Sequence, residues 1–211
     1  MDKETRNFPL TELRIEKRDD DSREVVGHAS VFNSLSEDLG GFRETIAPGA
    51  FDDVLQDDVR ALFNHDPNMI LARTKSGTLT LRVYDKGLQY RFNAPDTTAG
   101  RDLMVSLERG DIDQSSFGFR VADDEWENRD GQVVRTVLKF SRLFDVSPVT
   151  MPAYPDTDVA ERELRAFMEE ATKPETKQES QKIANGLRDL KMRKLKHKKA
   201  INQIGYNHEL L

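Results

Sequence analysis

Short apolar runs broken by clusters of Asp, Gly and Ser fill the first half of the chain, a pattern typical of β-strands separated by turns. The pattern predicts five strands: Leu10–Lys17, Arg23–Asn33, Val59–His65, Thr78–Tyr84 and Leu88–Ala94. Asp85-Lys86-Gly87 joins the last two as a hairpin turn, because glycine adopts a positive φ without strain. The first half is therefore predicted to be mainly β.

Helical spacing of apolar residues predicts helices in three places. The first follows Ala47-Pro48-Gly49, where four residues share one face: Ala50, Phe51, Val54 and Leu55. The second, Thr98–Arg109, ends at Gly110, since glycine suits the left-handed conformation that closes helices. The third is the charged segment Asp158–Glu170.

A further strand pair completes the predicted fold. Its strands are Gln114–Ala122 and Gln132–Val146, bridged by the polar segment Asp123–Gly131. Many short strands with few helices favour a mainly β domain with flanking helices over residues 1–157. We expect a closed or strongly curled antiparallel β-barrel.

Charge divides the 211 residues into two parts. Residues 171–211 hold ten Lys and Arg against four Asp and Glu, a net of +6, and residues 1–170 hold 22 against 34, a net of −12. The acidic body disfavours nucleic-acid binding, which depends on cations placed against phosphates. The Lys/Pro/Glu/Thr-rich stretch 171–178 and the basic helix candidate Glu179–Gln203 predict a flexible basic C-terminal tail.

The chain has no cysteine, which excludes disulfides, thiolate metal sites and a cysteine nucleophile. Covalent chemistry would therefore start from oxygen or nitrogen. No apolar run reaches the roughly 20 residues of a membrane span, and the N-terminus lacks the apolar stretch of a signal peptide. We expect a soluble intracellular protein that needs no metal or cofactor.

Two of the four histidines lie within predicted strands. His28 reads as structural, because a single histidine is rarely catalytic. Strand alternation places His65 on the apolar face of Val59–His65, where it either caps the strand or acts as a base. Its neighbour Asp66 points to the opposite face, so a carboxylate that orients the His65 ring must come from elsewhere.

Two more segments carry candidate chemistry. In Gln114-Ser115-Ser116-Phe117-Gly118-Phe119, a serine at a loop-to-strand junction can expose its hydroxyl while nearby N–H groups face a developing oxyanion. Asp145 is embedded in an apolar strand, where a carboxylate requires a partner. That partner is a histidine, a backbone N–H group or an arginine such as Arg142.

Taken in order, these segments resemble the prohead serine proteases of tailed bacteriophages. The resemblance covers about residues 10–157 and rests on five motifs: Gly27-His28-Ala29-Ser30-Val31-Phe32-Asn33, Ile46-Ala47-Pro48-Gly49-Ala50-Phe51, Phe63-Asn64-His65-Asp66, Ser116-Phe117-Gly118-Phe119, and Leu143-Phe144-Asp145-Val146-Ser147-Pro148-Val149 with Pro152-Ala153. It implies a β-barrel related to the herpesvirus maturation proteases.

The resemblance also implies a role for each site residue. His65 would be the general base, Ser116 the nucleophile, and Asp145 the group that orients the base. Ser115 stands where family members usually carry an apolar residue, which leaves it as the alternative nucleophile. Backbone N–H groups near Phe117 and Gly118, or in the Ser147–Met151 loop, are candidate oxyanion donors.

The implied function is a serine endopeptidase that cleaves the capsid and scaffolding proteins, and itself, inside the procapsid in the host cytoplasm. The basic tail would dock the scaffolding region, and self-cleavage is expected between about residues 155 and 190, where an exposed segment is open to proteolysis. A homo-oligomer is possible, and no membrane or specific nucleic acid is expected as a partner. The alternatives are a non-catalytic assembly factor and a nucleic-acid-binding barrel, which the acidic body disfavours.

Overall fold

The computed structural model describes residues 3–7, 12–19, 23–151 and 158–172. The strands are β1 (Glu4–Asn7), β2 (Leu13–Lys17), β3 (Arg23–Val31), β4 (Phe42–Ile46), β5 (Arg60–Phe63), β6 (Asp66–Arg73), β7 (Leu79–Tyr84), β8 (Gly87–Asn93), β9 (Gln114–Arg129) and β10 (Gln132–Val149); the helices are α1 (Thr98–Arg109) and α2 (Asp158–Thr172). The chain divides into two units between Glu161 and Arg162. The predicted tail helix Glu179–Gln203 lies outside the described residues, as do most of the predicted linker and the start of the predicted strand Leu10–Lys17.

Two sheets make up the first unit. The larger has the order β1-β9-β10-β5-β6, with β4 beside β10, and the smaller has the order β2-β3-β8-β7. The mainly β prediction is confirmed, whereas the predicted antiparallel arrangement is wrong for β4 and β5, which both run parallel to β10. Within residues 3–151, as far as they are described, no strand ladder joins the two sheets, so closure into a barrel is not confirmed.

The β9–β10 hairpin is longer than its sequence predicts. Asp130 and Gly131 form a two-residue turn with φ of 52° and 90°, as left-handed hairpin turns require. The segment Asp123–Gly131 is therefore not a bridging loop, since its residues pair with β10 almost to the tip. Trp126 packs on Phe42 at 5.0 Å between ring centroids, while carboxylates alternate with it on the exposed face. That period of two marks a half-buried strand.

The predicted helix after Gly49 is a series of tight turns. Val54 N–H donates to the carbonyl of Phe51, three residues earlier, at 3.0 Å, and no hydrogen-bonded helix forms here. The burial that motivated the prediction is real, because Phe51 is fully buried and packs on Phe140 with centroids 4.6 Å apart. The apolar spacing therefore identified a buried face correctly, but the backbone that carries it forms turns and not the predicted helix.

The core lies between the sheets and joins aromatic residues from both. The smaller sheet contributes Tyr90 and Phe92, and the larger contributes Phe117, Phe119 and Phe140. This packing fixes the core-facing side of β9, so the residues that alternate with Phe117 and Phe119 point to its opposite side.

The two other predicted helices are present. Helix α1 begins at the N-cap Thr97, whose hydroxyl accepts from Gly100 N–H at 3.2 Å, and closes at Gly110 with φ of 76°. Helix α2 extends to Thr172, two residues beyond its predicted end. Within the described part of the chain, neither helix is long and apolar enough to span a membrane.

Candidate active site

Strand alternation predicts that His65 ends a strand. It lies instead in a two-residue turn between β5 and β6. Asn64 and His65 both have left-handed backbones, with φ of 54° and 59°, as in the type I′ hairpin turn. Asn64 ties this turn to the end of β10: its N–H donates to the carbonyl of Pro148 at 3.0 Å, and its Oδ1 accepts from Thr150 N–H at 2.9 Å. Two hydrogen bonds to the end of β10 therefore support the unusual backbone.

Asp145 lies on β10, which runs beside β5, and only 1% of the residue is exposed. Its Oδ2 is hydrogen-bonded to His65 Nδ1 and accepts from Ser147 Oγ at 3.0 Å. Its Oδ1 lies 2.5 Å from Lys3 Nζ. Arg142, the alternative partner in the sequence analysis, contacts Asp57 instead. The expected contact between His65 and Asp145 is thus present.

Opposing influences act on the pKa of the Asp145 carboxyl. Burial raises this pKa, but the hydrogen bond and charge of His65 and the ammonium of Lys3 outweigh it and lower the pKa below its ordinary value. Asp145 is therefore a carboxylate at neutral pH. Because a carboxylate only accepts, the proton between the two side chains belongs to His65 Nδ1, and Nε2 is left as an acceptor.

Ser116 Oγ lies 2.8 Å from His65 Nε2 and is fully buried. The hydroxyl is also 2.8 Å from the carbonyl oxygen of Arg6, to which it can donate. Ser115 points to the other face of β9, where its Oγ is 2.7 Å from the hydroxyl of the buried Tyr90. Alternation along the strand thus brings Ser116, and not Ser115, to His65.

The candidate oxyanion donors Phe117 and Gly118 lie inside the sheet. Both pair with β1 on one side and with β10 on the other. Because successive residues of a strand direct their N–H groups to opposite neighbours, one of the two N–H groups faces β1 and the other faces β10. In the other candidate segment, Ser147 binds Asp145 through its hydroxyl, and Thr150 N–H is taken by Asn64.

The absence of a side chain at Gly118 leaves space for the groups around Asp145. A Cβ at this position would lie 2.6 Å from Asp145 Oδ1 and 2.3 Å from Lys3 Cε. Sequence reasoning missed Lys3, Arg6 and Asn64 at this site. Asn64 had a signal, since asparagine before His65 suits a left-handed turn, whereas no local pattern indicates that Lys3 and Arg6 approach Asp145 and Ser116.

His28 lies apart from these residues, on β3 of the smaller sheet, and 2% of it is exposed. Its Nε2 contacts the Tyr84 hydroxyl, and its Nδ1 is 3.9 Å from a carboxylate oxygen of Glu12. Among the described residues, no three His, Asp or Glu side chains group closely enough to hold a metal ion.

Comparison with known proteins yields one family and one curated relative. A family model described as caudovirus prohead serine protease matches residues 11–172. The prohead protease of Enterobacteria phage HK97 is 28% identical over 151 residues, which cover 64% of this chain and 57% of the phage protein. The chain thus spans little more than half the length of that relative. No solved structure matches the chain.

Proposed function

Because the chain belongs to the caudovirus prohead serine protease family, we propose that it is a serine endopeptidase of phage capsid maturation. Ser116 is the nucleophile, His65 the general base, and Asp145 the carboxylate that orients it. The observation that carries this proposal is the unbroken line of hydrogen bonds from Asp145 through both nitrogens of His65 to Ser116. Nucleophile, base and orienting group stand in the order that activates a serine.

The proposed chemistry begins with proton transfer. Ser116 Oγ bonds to the carbonyl carbon of the scissile peptide while its proton passes to His65 Nε2, and the electron pair of the carbonyl moves to its oxygen. The imidazolium is stabilised by Asp145 and then gives its proton to the leaving amine as the C–N bond breaks. Water repeats the sequence on the acyl-enzyme and releases the second product.

A strand-borne N–H group is proposed to stabilise the oxyanion. Phe117 N–H and Gly118 N–H are the nearest candidates to Ser116, and one of them faces β1 and not the interior strand β10. A donor aimed at the developing charge supplies a large share of the rate enhancement in acyl transfer.

The proposed substrates are the capsid protein, its scaffolding region and the chain itself. Cleavage would take place inside the procapsid in the host cytoplasm, with the basic tail (residues 171–211) docking the scaffolding region and self-cleavage falling between about residues 155 and 190. We also propose that the fold is related to that of the herpesvirus maturation proteases. An experimental structure whose two sheets fail to superpose on those enzymes would remove it.

Co-expression with the capsid protein of the same phage tests the catalytic assignment. Wild type should shorten the capsid protein on a denaturing gel, and Ser116→Ala should abolish shortening, because it removes the hydroxyl that lies 2.8 Å from His65 Nε2. Ser115→Ala is the matched control and should retain processing. Loss of processing in Ser115→Ala alone would move the nucleophile by one residue. Full-length capsid protein with wild type would favour a non-catalytic assembly factor.

A further inference from the structure

Strand β1 lies along the edge of the strand that carries Ser116. Its four residues pair antiparallel with Ser116–Phe119, from Asn7 opposite Ser116 to Glu4 opposite Phe119. Since Ser116 is completely buried in this arrangement, a substrate carbonyl cannot reach its Oγ. The attack distance of about 3 Å that acyl transfer needs requires this cover to move.

Two contacts of this segment also act directly on the catalytic groups. The Arg6 carbonyl competes with His65 Nε2 for the single O–H proton of Ser116, at the same distance of 2.8 Å. The Lys3 ammonium, 2.5 Å from Asp145 Oδ1, opposes a second positive charge on the adjacent imidazole. Both contacts disfavour transfer of the Ser116 proton to His65.

Buried ion pairs hold β1 in place. Within β1, Arg6 Nη2 lies 2.6 Å from Glu4 Oε2. Arg6 Nε ties the strand to β4, at 3.0 Å from Glu44 Oε1. Arg135, which is fully buried, joins the same two carboxylates at 3.0 Å and 3.1 Å. This buried network keeps β1 in one defined position, because removing β1 would leave buried charges without partners.

We propose that the edge of β9 from Ser116 to Phe119 is the docking edge for an extended peptide segment of the substrate, and that β1 is an internal occupant that must leave first. This rests on the proposed function. Displacement of β1 uncovers the Ser116 hydroxyl and removes the Arg6 carbonyl as a competing acceptor, so that the O–H group donates to His65 Nε2. It also frees whichever N–H of Phe117 or Gly118 faces β1, so that an incoming strand finds main-chain partners by β-augmentation.

A reversible covalent lock tests the proposal in the full chain. Lys3 precedes Glu4, which pairs with Phe119, so the antiparallel register places Lys3 opposite Arg120. The side-chain cations of Lys3 and Arg120 both lie over the ring of Phe144. Cross-strand neighbours are close enough for a disulfide, and the chain has no cysteine of its own. Lys3→Cys with Arg120→Cys therefore ties β1 to β9 under oxidation and releases it under reduction.

The readout is the rate at which a fluorophosphonate probe labels Ser116, located by peptide mapping, with wild type under both redox conditions as the control. We expect labelling of the double variant to be about a hundredfold slower when oxidised than when reduced. Equal rates, with the disulfide verified by mass, would overturn the proposal and leave the protease assignment intact. If neither form is labelled and wild type does not process capsid protein, the proposed function fails as well.

A second arm decides the matter even if the disulfide does not form. Lys3→Ala removes one hold on the segment and should speed labelling of Ser116 about fivefold, the size expected for a partly exposed ion pair. Lys75→Ala, another lysine-to-alanine change at an exposed site, should leave the rate unchanged, because the charge of Lys75 acts on Asp58. Slower labelling of Lys3→Ala would make Lys3 a positioning residue for Asp145 and overturn the proposal.

Discussion

His65 in the larger sheet and His28 in the smaller sheet show how differently one fold can hold the same side chain. His65 lies in a left-handed turn, with 17% of its side chain exposed, between a buried carboxylate and a hydroxyl. His28 lies within strand β3, at an irregularity in its pairing with β8, beside the Tyr84 hydroxyl. A carboxylate oxygen of Glu12, whose side chain is 58% exposed, lies 3.9 Å from His28 Nδ1.

The difference shows what a candidate base requires beyond burial. Burial, and next the charge of Lys86, lower the pKa of His28, so this ring stays neutral and structural. Burial likewise raises the pKa of its partner Tyr84. At His65, by contrast, Nδ1 is hydrogen-bonded to the buried carboxylate of Asp145, and Ser116 Oγ lies 2.8 Å from Nε2.

Replacing each histidine by alanine tests this comparison most strongly. His65→Ala should lower peptide hydrolysis by about 10⁴-fold, since serine lacks its base, while the melting temperature stays close to that of wild type. His28→Ala should lower the free energy of unfolding by about 1–3 kcal/mol, because it leaves a cavity beside Tyr84, with activity per folded molecule retained. Turnover and thermal unfolding of both proteins provide the check. A comparable loss of turnover in His28→Ala would break the distinction.

A pair of glycines, one in each sheet, sharpens the comparison at a smaller scale. A Cβ at Gly118 would meet Asp145 Oδ1 at 2.6 Å, and one at Gly27 would meet Tyr90 Cζ at 2.3 Å. Gly118→Ala should reduce turnover by about 10–100-fold, because a displacement of Asp145 by even 1 Å misaligns His65. Gly27→Ala should instead destabilise the fold by about 1–3 kcal/mol through overpacking.

Turnover and urea unfolding, measured side by side on the two glycine variants, separate these effects. A Gly118→Ala protein with unchanged turnover would contradict the role given to Asp145. We expect Tyr90 to be unable to move aside, because it is fully buried and its hydroxyl contacts Ser115. A Gly27→Ala protein with wild-type stability would contradict this expectation.

Acidification gives the smallest of the expected effects. The folded-state pKa of His28 lies below its ordinary 6.5, so the unfolded chain binds the proton first as pH falls. Stability should therefore decrease from pH 7.5 to 5.5, and His28→Gln should flatten that slope. The carboxyl of Asp145, whose pKa is lowered, stays ionised throughout this window. Urea midpoints at the two pH values test this, and a wild type that is more stable at pH 5.5 would reverse the assignment.

Most strands and the end of helix α1 could be predicted from local sequence, because strand periodicity and turn chemistry depend on only a few neighbouring residues. The predicted strands over Arg23–Asn33, Thr78–Tyr84 and Leu88–Ala94 are present as β3, β7 and β8, and helix α1 ends at Gly110 as predicted. The predictions failed where tertiary contacts override local pattern. Residues 123–129 of the polar stretch form strand, with Trp126 packed on Phe42, and only Asp130 and Gly131 remain as the turn. Strand β4 became part of the sheet by pairing with a strand about 90 residues later.

The sequence by itself determined which residues can do chemistry: a chain without cysteine, with few histidines, a serine at a strand start and a carboxylate in an apolar strand. Only the tertiary structure brought His65 between Asp145 and Ser116, because that meeting depends on β5 lying beside β10 and β10 beside β9. It alone placed β1 over Ser116, through ion pairs between residues up to 131 positions apart. The spacing of residues along a strand determines which face of the sheet each side chain occupies. Which residues of neighbouring strands meet depends on the register between the strands, and packing of the whole core determines that register.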